Sequence, residues 1–345
     1  MNQSETVLVT GGSGFVAMHI ILQLLQKGYH VKTTVRSLKS KDKIIDALKA
    51  NGITNTENLS FAETELTKDD NWATAMEGCY YVLSVASPVF FEIPNDENEA
   101  IRPAVEGIKR ILKFAKNADV KRVVMTSNFG AVGFSQTDNN RETTEADWTD
   151  PNLKGLSVYE KSKTLAEMAA WDFIKKEGGK LEFATINPVA IFGPSLNEHI
   201  SGSLDIVKHL LDGTMNPVPP IPLNLVDVRD VADLHIRAME SPKANGQRFI
   251  ATADGQISIP EIAKFLIKTN PEITSKVSTK SIPVFAVKLA SLFNAKAKEG
   301  VMFMNMNRKV SNAKARKLLD WKPIGTNEEI ILVSVDSMKK YGIAK

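Results

Sequence analysis

The stretch Thr6–Ala17, TVLVTGGSGFVA, decides the fold. Thr6–Thr10 is a short β-branched apolar run. From Gly14 to Lys27 apolar side chains recur at helical spacing, and Gly28 supplies a stop. Between strand and helix, glycines let the backbone bend sharply and approach a pyrophosphate, whose charge the helix N-terminus meets. The spacing is Gly-x-x-Gly-x-x-small, with Ala17 in third place. Such a pattern alone also fits a plain turn. Its position, opening a strand–helix–strand unit, points to a dinucleotide and marks Thr10, Gly11, Ser13 and Gly14 as contacts.

Working outward, strand and helix patterns alternate. Strands are read at Val31–Val35, Leu59–Ala62, Tyr80–Val85, Arg122–Thr126 and Leu181–Ile186, and helices at Lys41–Ala50, Asp69–Glu77, Glu97–Lys116 and Leu156–Lys176. Near-continuously apolar strands separated by helices mean a parallel sheet covered on both faces. Right-handed crossovers make it doubly wound, an α/β Rossmann fold over residues 1–188. Beyond Asn187 the alternation degrades into a stretch rich in Pro, Gly and Ser, with helices at Ser203–Leu211, Asp230–Met239, Ser258–Thr269, Val284–Asn294 and Ser311–Leu318. An irregular, helix-rich, smaller substrate-binding lobe is expected over 189–225 and 251–345, with 226–250 returning to the first domain. The basic tract Lys296–Lys314 reads as a solvated helix face.

Composition narrows the class. A length of 345 residues suggests two domains. Forty-three basic against 40 acidic residues give a net charge of +3, which makes no case for nucleic acid. The single cysteine, Cys79, forbids an intramolecular disulfide and argues against a cysteine zinc site. None of the five histidines sits at metal-ligand spacing from another, so no metal is expected. No basic-then-apolar leader and no apolar run of about 18 residues is read, so the expectation is a cytoplasmic protein with no membrane segment.

Two features point to chemistry. The second strand ends at Arg36, followed by Lys39, Lys41 and Lys43, with no acid before Asp42. An acid there would bond the ribose hydroxyls of NAD, whereas a guanidinium matches the extra phosphate of NADP; a solvated basic helix start is the alternative. Tyr159 and Lys163 stand four apart on one helix face. An ammonium beside a phenol favours the phenolate and lowers its pKa, preparing it for proton exchange with an alcohol or carbonyl oxygen. The spacing alone is poor evidence, since Tyr341 and Lys345 share it by accident.

Together these residues resemble the extended short-chain dehydrogenase/reductase family, in its branch of dihydroflavonol reductases, cinnamoyl-CoA reductases and related aldehyde or ketone reductases. The resemblance runs through Val9–Val16, Val35-Arg36, Val85–Pro88, Thr126-Ser127, Tyr159–Trp171 (YEKSKTLAEMAAW), Ile186–Pro188 with Gly193-Pro194, and Val226–Ala232. It implies that NADPH delivers hydride to a carbonyl carbon, that Tyr159 protonates the oxygen, and that Lys163 bonds the nicotinamide ribose and tunes Tyr159. The family's substrate-bonding serine falls at Asn128, a departure. An Asn amide can donate the same hydrogen bond. Alternatively Ser127 takes the role, the reductase activity is weakened, or Asn128 is a turn residue.

By position in the family, Phe15, Val16, Lys43, Glu65, Leu66, Val85, Ala86, Ser87 and Pro188 are further cofactor contacts. Gly133 falls where dihydroflavonol reductases carry an Asn that meets the flavonoid, which disfavours that substrate. The loops at the strand ends hold Phe90, Phe91, Phe129, Phe134, Phe192, Met215 and Pro217, implying an apolar pocket for aromatic or branched aliphatic carbonyls, with about half of the phenylalanines there ordinary core. No charged cluster in these loops marks a charged substrate. Competing readings are a sugar-nucleotide epimerase or dehydratase that retains its cofactor, and a catalytically silent NADP-binding sensor. A monomer or homodimer fits either way.

Overall fold

The computed structural model describes residues 5–87 and 96–344. Strand β1 (Thr6–Val9) runs through the glycine turn into α1 (Phe15–Gln26). Then follow β2 (His30–Val35), α2 (Lys41–Ala50), β3 (Leu59–Glu63), α3 (Trp72–Met76), β4 (Cys79–Ser84), α4 (Glu97–Asn117), β5 (Arg122–Thr126), the short α5 (Gly130–Gly133), α6 (Val158–Glu177) and β6 (Glu182–Pro188). The remainder comprises β7 (Ala190–Phe192), α7 (Asp205–Leu211), β8 (Pro222–Leu223), β9 (Leu225–Asp227), α8 (Val228–Glu240), β10 (Gln247–Ala251), α9 (Ile259–Thr269), α10 (Val284–Ala290), α11 (Ala295–Asn305), α12 (Ala313–Leu319) and α13 (Asn327–Lys340). No helix among the described residues is long and apolar enough to cross a membrane.

The main sheet has the order β10-β6-β5-β4-β1-β2-β3 and is parallel throughout. The order reverses at β1, which pairs Val7 with Val31 on one side and with Tyr81 on the other. Ligands of open α/β sheets sit outside the strand ends at this switch point. One face is covered by α1, α2 and α8, whose Ile20, Leu24, Leu48, Val231 and Leu234 join the main core; the other is covered by α4 and α6. A separate core of Leu204, Val207, Ile262, Leu266, Ile331 and Val335 holds the lobe of α7, α9 and α13 together.

Two stretches differ from the periodicity reading. The tract 296–314 is not a solvated helix face. It breaks into α11, an extended segment in which Met306 and Asn307 are buried and Val310 bridges Thr143, and α12. Its lysines are spaced by residues that face inward, and composition hid that alternation. The helix α13 also escaped the reading. Its apolar residues Ile330, Ile331, Val335 and Met338 pack into the lobe core behind an N-terminal capping box of Thr326 and Glu329. In addition, α12 reaches the sheet domain: Trp321 just beyond it is fully buried and bonds the Asp230 carbonyl at 3.0 Å.

Candidate active site

The glycine turn is built for close backbone approach. Gly11 has φ +73°, and Gly12 lies so near β2 that a Cβ there would stand 2.2 Å from Thr33 Oγ1. The Gly11 and Gly12 amides donate to Thr34 Oγ1 and to Thr34 O, at 3.1 and 2.8 Å. Gly14 caps α1 without a side-chain bond, and the first turn carries no acidic residue. The helix therefore presents unsatisfied N–H groups and an uncancelled positive dipole end to an anion. Ser13 is exposed beside it, Val16 is half-buried, and Phe15 turns into the lobe core. The Thr10 hydroxyl accepts from the Val85 and Ala86 amides at 2.9 Å each, so its side chain ties β1 to the end of β4.

Past β2, Arg36 and Lys43 are exposed, and neither forms an ion pair among the described residues. Ser37 caps the following turn through the Lys39 amide. Glu65 is spent differently: bonds from Lys68 and Thr67 hold its carboxyl below the usual range. Leu66 shares a narrow cavity of about 20 Å³ with Ala86, Ser87, Gly107, Thr126 and Lys163.

Helix α6 starts with a capping box in which Ser157 and Glu160 satisfy each other's backbone N–H groups. That sets the phase bringing Tyr159 and Lys163 onto the cleft side. Lys163 Nζ lies 5.2 Å from the Tyr159 ring centroid and donates to Ser87 Oγ at the end of β4. Burial pushes the Lys163 pKa down to about 8. The Tyr159 pKa is raised, by desolvation and then by the Glu160 carboxylate, and not lowered. The ammonium is committed to Ser87 and does not bond the phenol, so the expected downward pull is missing. Tyr159 keeps 44% of its surface exposed, which weakens the upward push. Glu160 is itself shifted, by burial and then the Glu299 charge, to about 7.

Asn128 is a turn residue and retains a free donor. Its Oδ1 accepts from the Gly130 amide, and its Nδ2 has no partner among the described residues. Ser127 is fully occupied: it is buried and donates to Glu167. Glu167, which sequence reasoning missed, is the hub of the floor. It is completely buried and accepts from Arg248 Nε and Asn187 Nδ2 at 2.7 Å, and from Thr185 and Trp171 at 3.2 Å. Asn187 in turn donates to the Asn128 carbonyl at 3.3 Å. Arg248 also stacks on Trp148, 3.6 Å from its centroid. The available signal was spacing, since Tyr159, Lys163 and Glu167 form an i, i+4, i+8 ladder.

The expected substrate residues fare unevenly. Phe90 and Phe91 lie outside the described residues. Phe129 is 3% exposed and its ring covers Gly133, whose added Cβ would meet Phe129 Cζ at 2.3 Å. Both are core and not pocket wall, because the tight α5 turn folds the ring back on itself. Phe192 is wholly buried in the lobe core. Met215 is half-buried against that core. Phe134, also expected there, is half-buried and packs on Phe303 of α11, 5.3 Å apart in a T-shape; Phe303 was not expected. Pro188 ends β6, and its carbonyl accepts from the Phe129 amide at 2.9 Å.

Comparison with known proteins agrees with this architecture. The profile of the 3-beta hydroxysteroid dehydrogenase/isomerase family matches residues 8–256. An anthocyanidin reductase of Vitis vinifera is 34% identical, over 78% of this chain and 82% of that one. A cinnamoyl-CoA reductase of Medicago truncatula is 31% identical over 79% and 83%. Among solved structures, the yeast methylglyoxal/isovaleraldehyde reductase complexed with NADPH superposes with a TM-score of 0.80 at 26% identity, covering 98% of this chain and 99% of that one.

Proposed function

The chain belongs to the 3-beta hydroxysteroid dehydrogenase/isomerase family, within the extended short-chain dehydrogenases/reductases, and from that premise we propose that it is an NADPH-dependent reductase of apolar or aromatic aldehydes and ketones. The observation that carries the reading is the meeting of Tyr159, Lys163 and Ser87, which joins helix α6 to the end of β4; Asn128, just past the end of β5, keeps a free donor.

The residues present suit the cofactor. The Gly11–Gly14 turn lets the backbone approach a pyrophosphate closely, the bare N-terminus of α1 offers amides to it, and Arg36 with Lys43 offers unpaired cations to a third phosphate. NADPH, when bound, supplies the hydride. This chain then has two tasks. Tyr159 Oη holds the proton that passes to the carbonyl oxygen, and Asn128 Nδ2 donates a hydrogen bond that steadies that oxygen as it gains charge. Lys163, held by Ser87, keeps a positive charge near the phenol and would hold the ribose of the bound cofactor.

In this reading the sheet, residues 1–188 with 226–250, is the cofactor domain, and 189–225 with 251–345 is the lobe that selects the carbonyl. Phe134 and Phe303 give the cleft an apolar side. With a single cysteine, buried and free, a reducing cytoplasmic setting is part of the proposal. The test is a panel of aromatic and aliphatic aldehydes and ketones mixed with purified protein and NADPH, following the absorbance of the reduced cofactor. Carbonyl-dependent oxidation is expected. Tight NADPH binding without oxidation by any member of the panel would overturn the assignment.

A further inference from the structure

Eight of the ten arginines are paired with a carboxylate, including the most deeply buried, Arg122 with Glu182 and Arg248 with Glu167. The two without a carboxylate among the described residues are Arg36 and Arg308. Arg36 is exposed and stands where a cofactor phosphate is proposed. Arg308 is half-buried, just beyond α11. Its Nε is closed to solvent and has no hydrogen-bond partner, and one Nη2–H reaches the Phe303 carbonyl at 3.0 Å. Burial alone pushes this guanidinium down to about 10. A desolvated cation without a counter-charge is unfavourable, and a chain that pairs its other buried arginines leaves this one open.

Arg308 lines a cavity of about 610 Å³ together with Lys309, Glu142, Gln256, Met304 and Met306. That volume is typical of small-molecule sites. Two cations face one carboxylate there, and Glu142 makes no ion pair with either among the described residues. The methionines offer an adaptable apolar wall. Aromatic packing joins the wall of this cavity to the turn that carries Asn128. Phe303, whose carbonyl holds Arg308, packs on Phe134, and Phe134 packs on Phe129 next to Asn128. Met302 lies 3.9 Å from where a Cβ on Gly155 would stand, four residues before Tyr159.

We propose that this cavity is an anion-recognising subsite, in which Arg308 anchors the carboxylate or phosphate end of a small organic carbonyl substrate whose apolar body lies against Met304 and Met306. The planar fork of a guanidinium takes either oxyanion by two parallel N–H···O bonds. The inference rests on the reductase reading and narrows it to substrates with an acidic tail. The loops first expected to define the pocket hold no such cluster; the cation comes from the segment after α11.

The experiment has a kinetic and a binding arm, both with NADPH saturating so that Arg36 is occupied. The first compares kcat/KM for 4-carboxybenzaldehyde, 4-formylphenyl phosphate and benzaldehyde. At least one charged aldehyde is expected to exceed benzaldehyde by about ten- to a hundredfold, mainly through KM, and Arg308→Gln should bring that ratio to about one. Which charged aldehyde leads distinguishes a carboxylate tail from a phosphate one. A wild-type ratio near one for both, or a ratio that survives Arg308→Gln, overturns the subsite. The second arm measures binding of 4-methylbenzoate, phenyl phosphate and the neutral 4-methylbenzamide by calorimetry, without turnover. An anion preference lost in Arg308→Gln supports the subsite even if no aldehyde is reduced, which would then count against the reductase reading alone. No anion preference in binding overturns the subsite.

Discussion

Replacing Glu167 by Gln tests whether the floor beneath the site is held by one buried charge. The carboxylate meets only donors: Arg248 Nε and Asn187 Nδ2 at 2.7 Å, Thr185 and Trp171 at 3.2 Å, and Ser127. A glutamine amide has one acceptor oxygen and turns an N–H₂ toward the rest, so at least two of these bonds face donor against donor. Arg248 loses its only carboxylate while 8% exposed. Breaking a buried pair from one side costs about 3–5 kcal/mol. At an unfolding entropy of roughly 2.1 cal/mol/K per residue, that lowers the melting temperature of a 345-residue chain by about 4–7 °C. Scanning calorimetry on wild type, Glu167→Gln, Arg248→Met and the double variant Glu167→Met/Arg248→Met provides the assay. The double variant should recover at least half of the loss, because no unpaired charge remains. A Glu167→Gln shift below about 1 °C, or strictly additive single losses, would mean that no single buried charge holds the floor.

Other outcomes follow from the same structure. Arg36→Ser should raise the Michaelis constant for NADPH at least about tenfold while leaving that for NADH nearly unchanged; steady-state kinetics with both cofactors decides, and an unaltered preference contradicts the phosphate assignment. Asn128→Ser should keep most of kcat/KM, since a hydroxyl still donates, whereas Asn128→Leu should lose about a hundredfold or more; equal losses would mean that Asn128 acts only as a turn residue. Buried neutral His19 and His235, both near pKa 4, lose stability as pH falls from 6.5 toward 4, while Asp230, raised to about 7, gains stability as pH falls through the same range. Asp230→Asn should therefore steepen the fall of melting temperature between pH 6.5 and 4.5, and a slope unchanged from wild type would contradict this balance.

The parts legible in the sequence are those written locally. The strand–turn–helix of Thr6–Ala17 carries its own glycines, and Tyr159 and Lys163 share a face because four residues are about one turn. What escaped reading is joined across long chain distances. Glu167 is defined by Arg248, 81 residues away, and by Asn187 on the neighbouring strand. Ser127 looked available until Glu167 claimed it, and Phe129 looked like pocket wall until Gly133 proved to be the space for its ring. Aromatic residues in a loop do not announce which way they turn. Phe303 and Arg308 lie in a tract whose many lysines suggested solvent, yet Phe303 packs on Phe134 and Arg308 lines a cavity. The lowered Tyr159 pKa expected from Lys163 also failed for a tertiary reason, because Ser87 takes the ammonium.

The central claim is that Tyr159 is the proton donor in NADPH-dependent carbonyl reduction. Tyr159→Phe removes one oxygen from a ring that is already 44% exposed, so the fold should be untouched. Measured against the best carbonyl substrate of the panel, kcat should fall by about 10²–10⁴ while the NADPH dissociation constant, read by fluorescence titration, stays within about threefold of wild type. Turnover close to wild type, or a parallel loss of NADPH binding, would contradict the account.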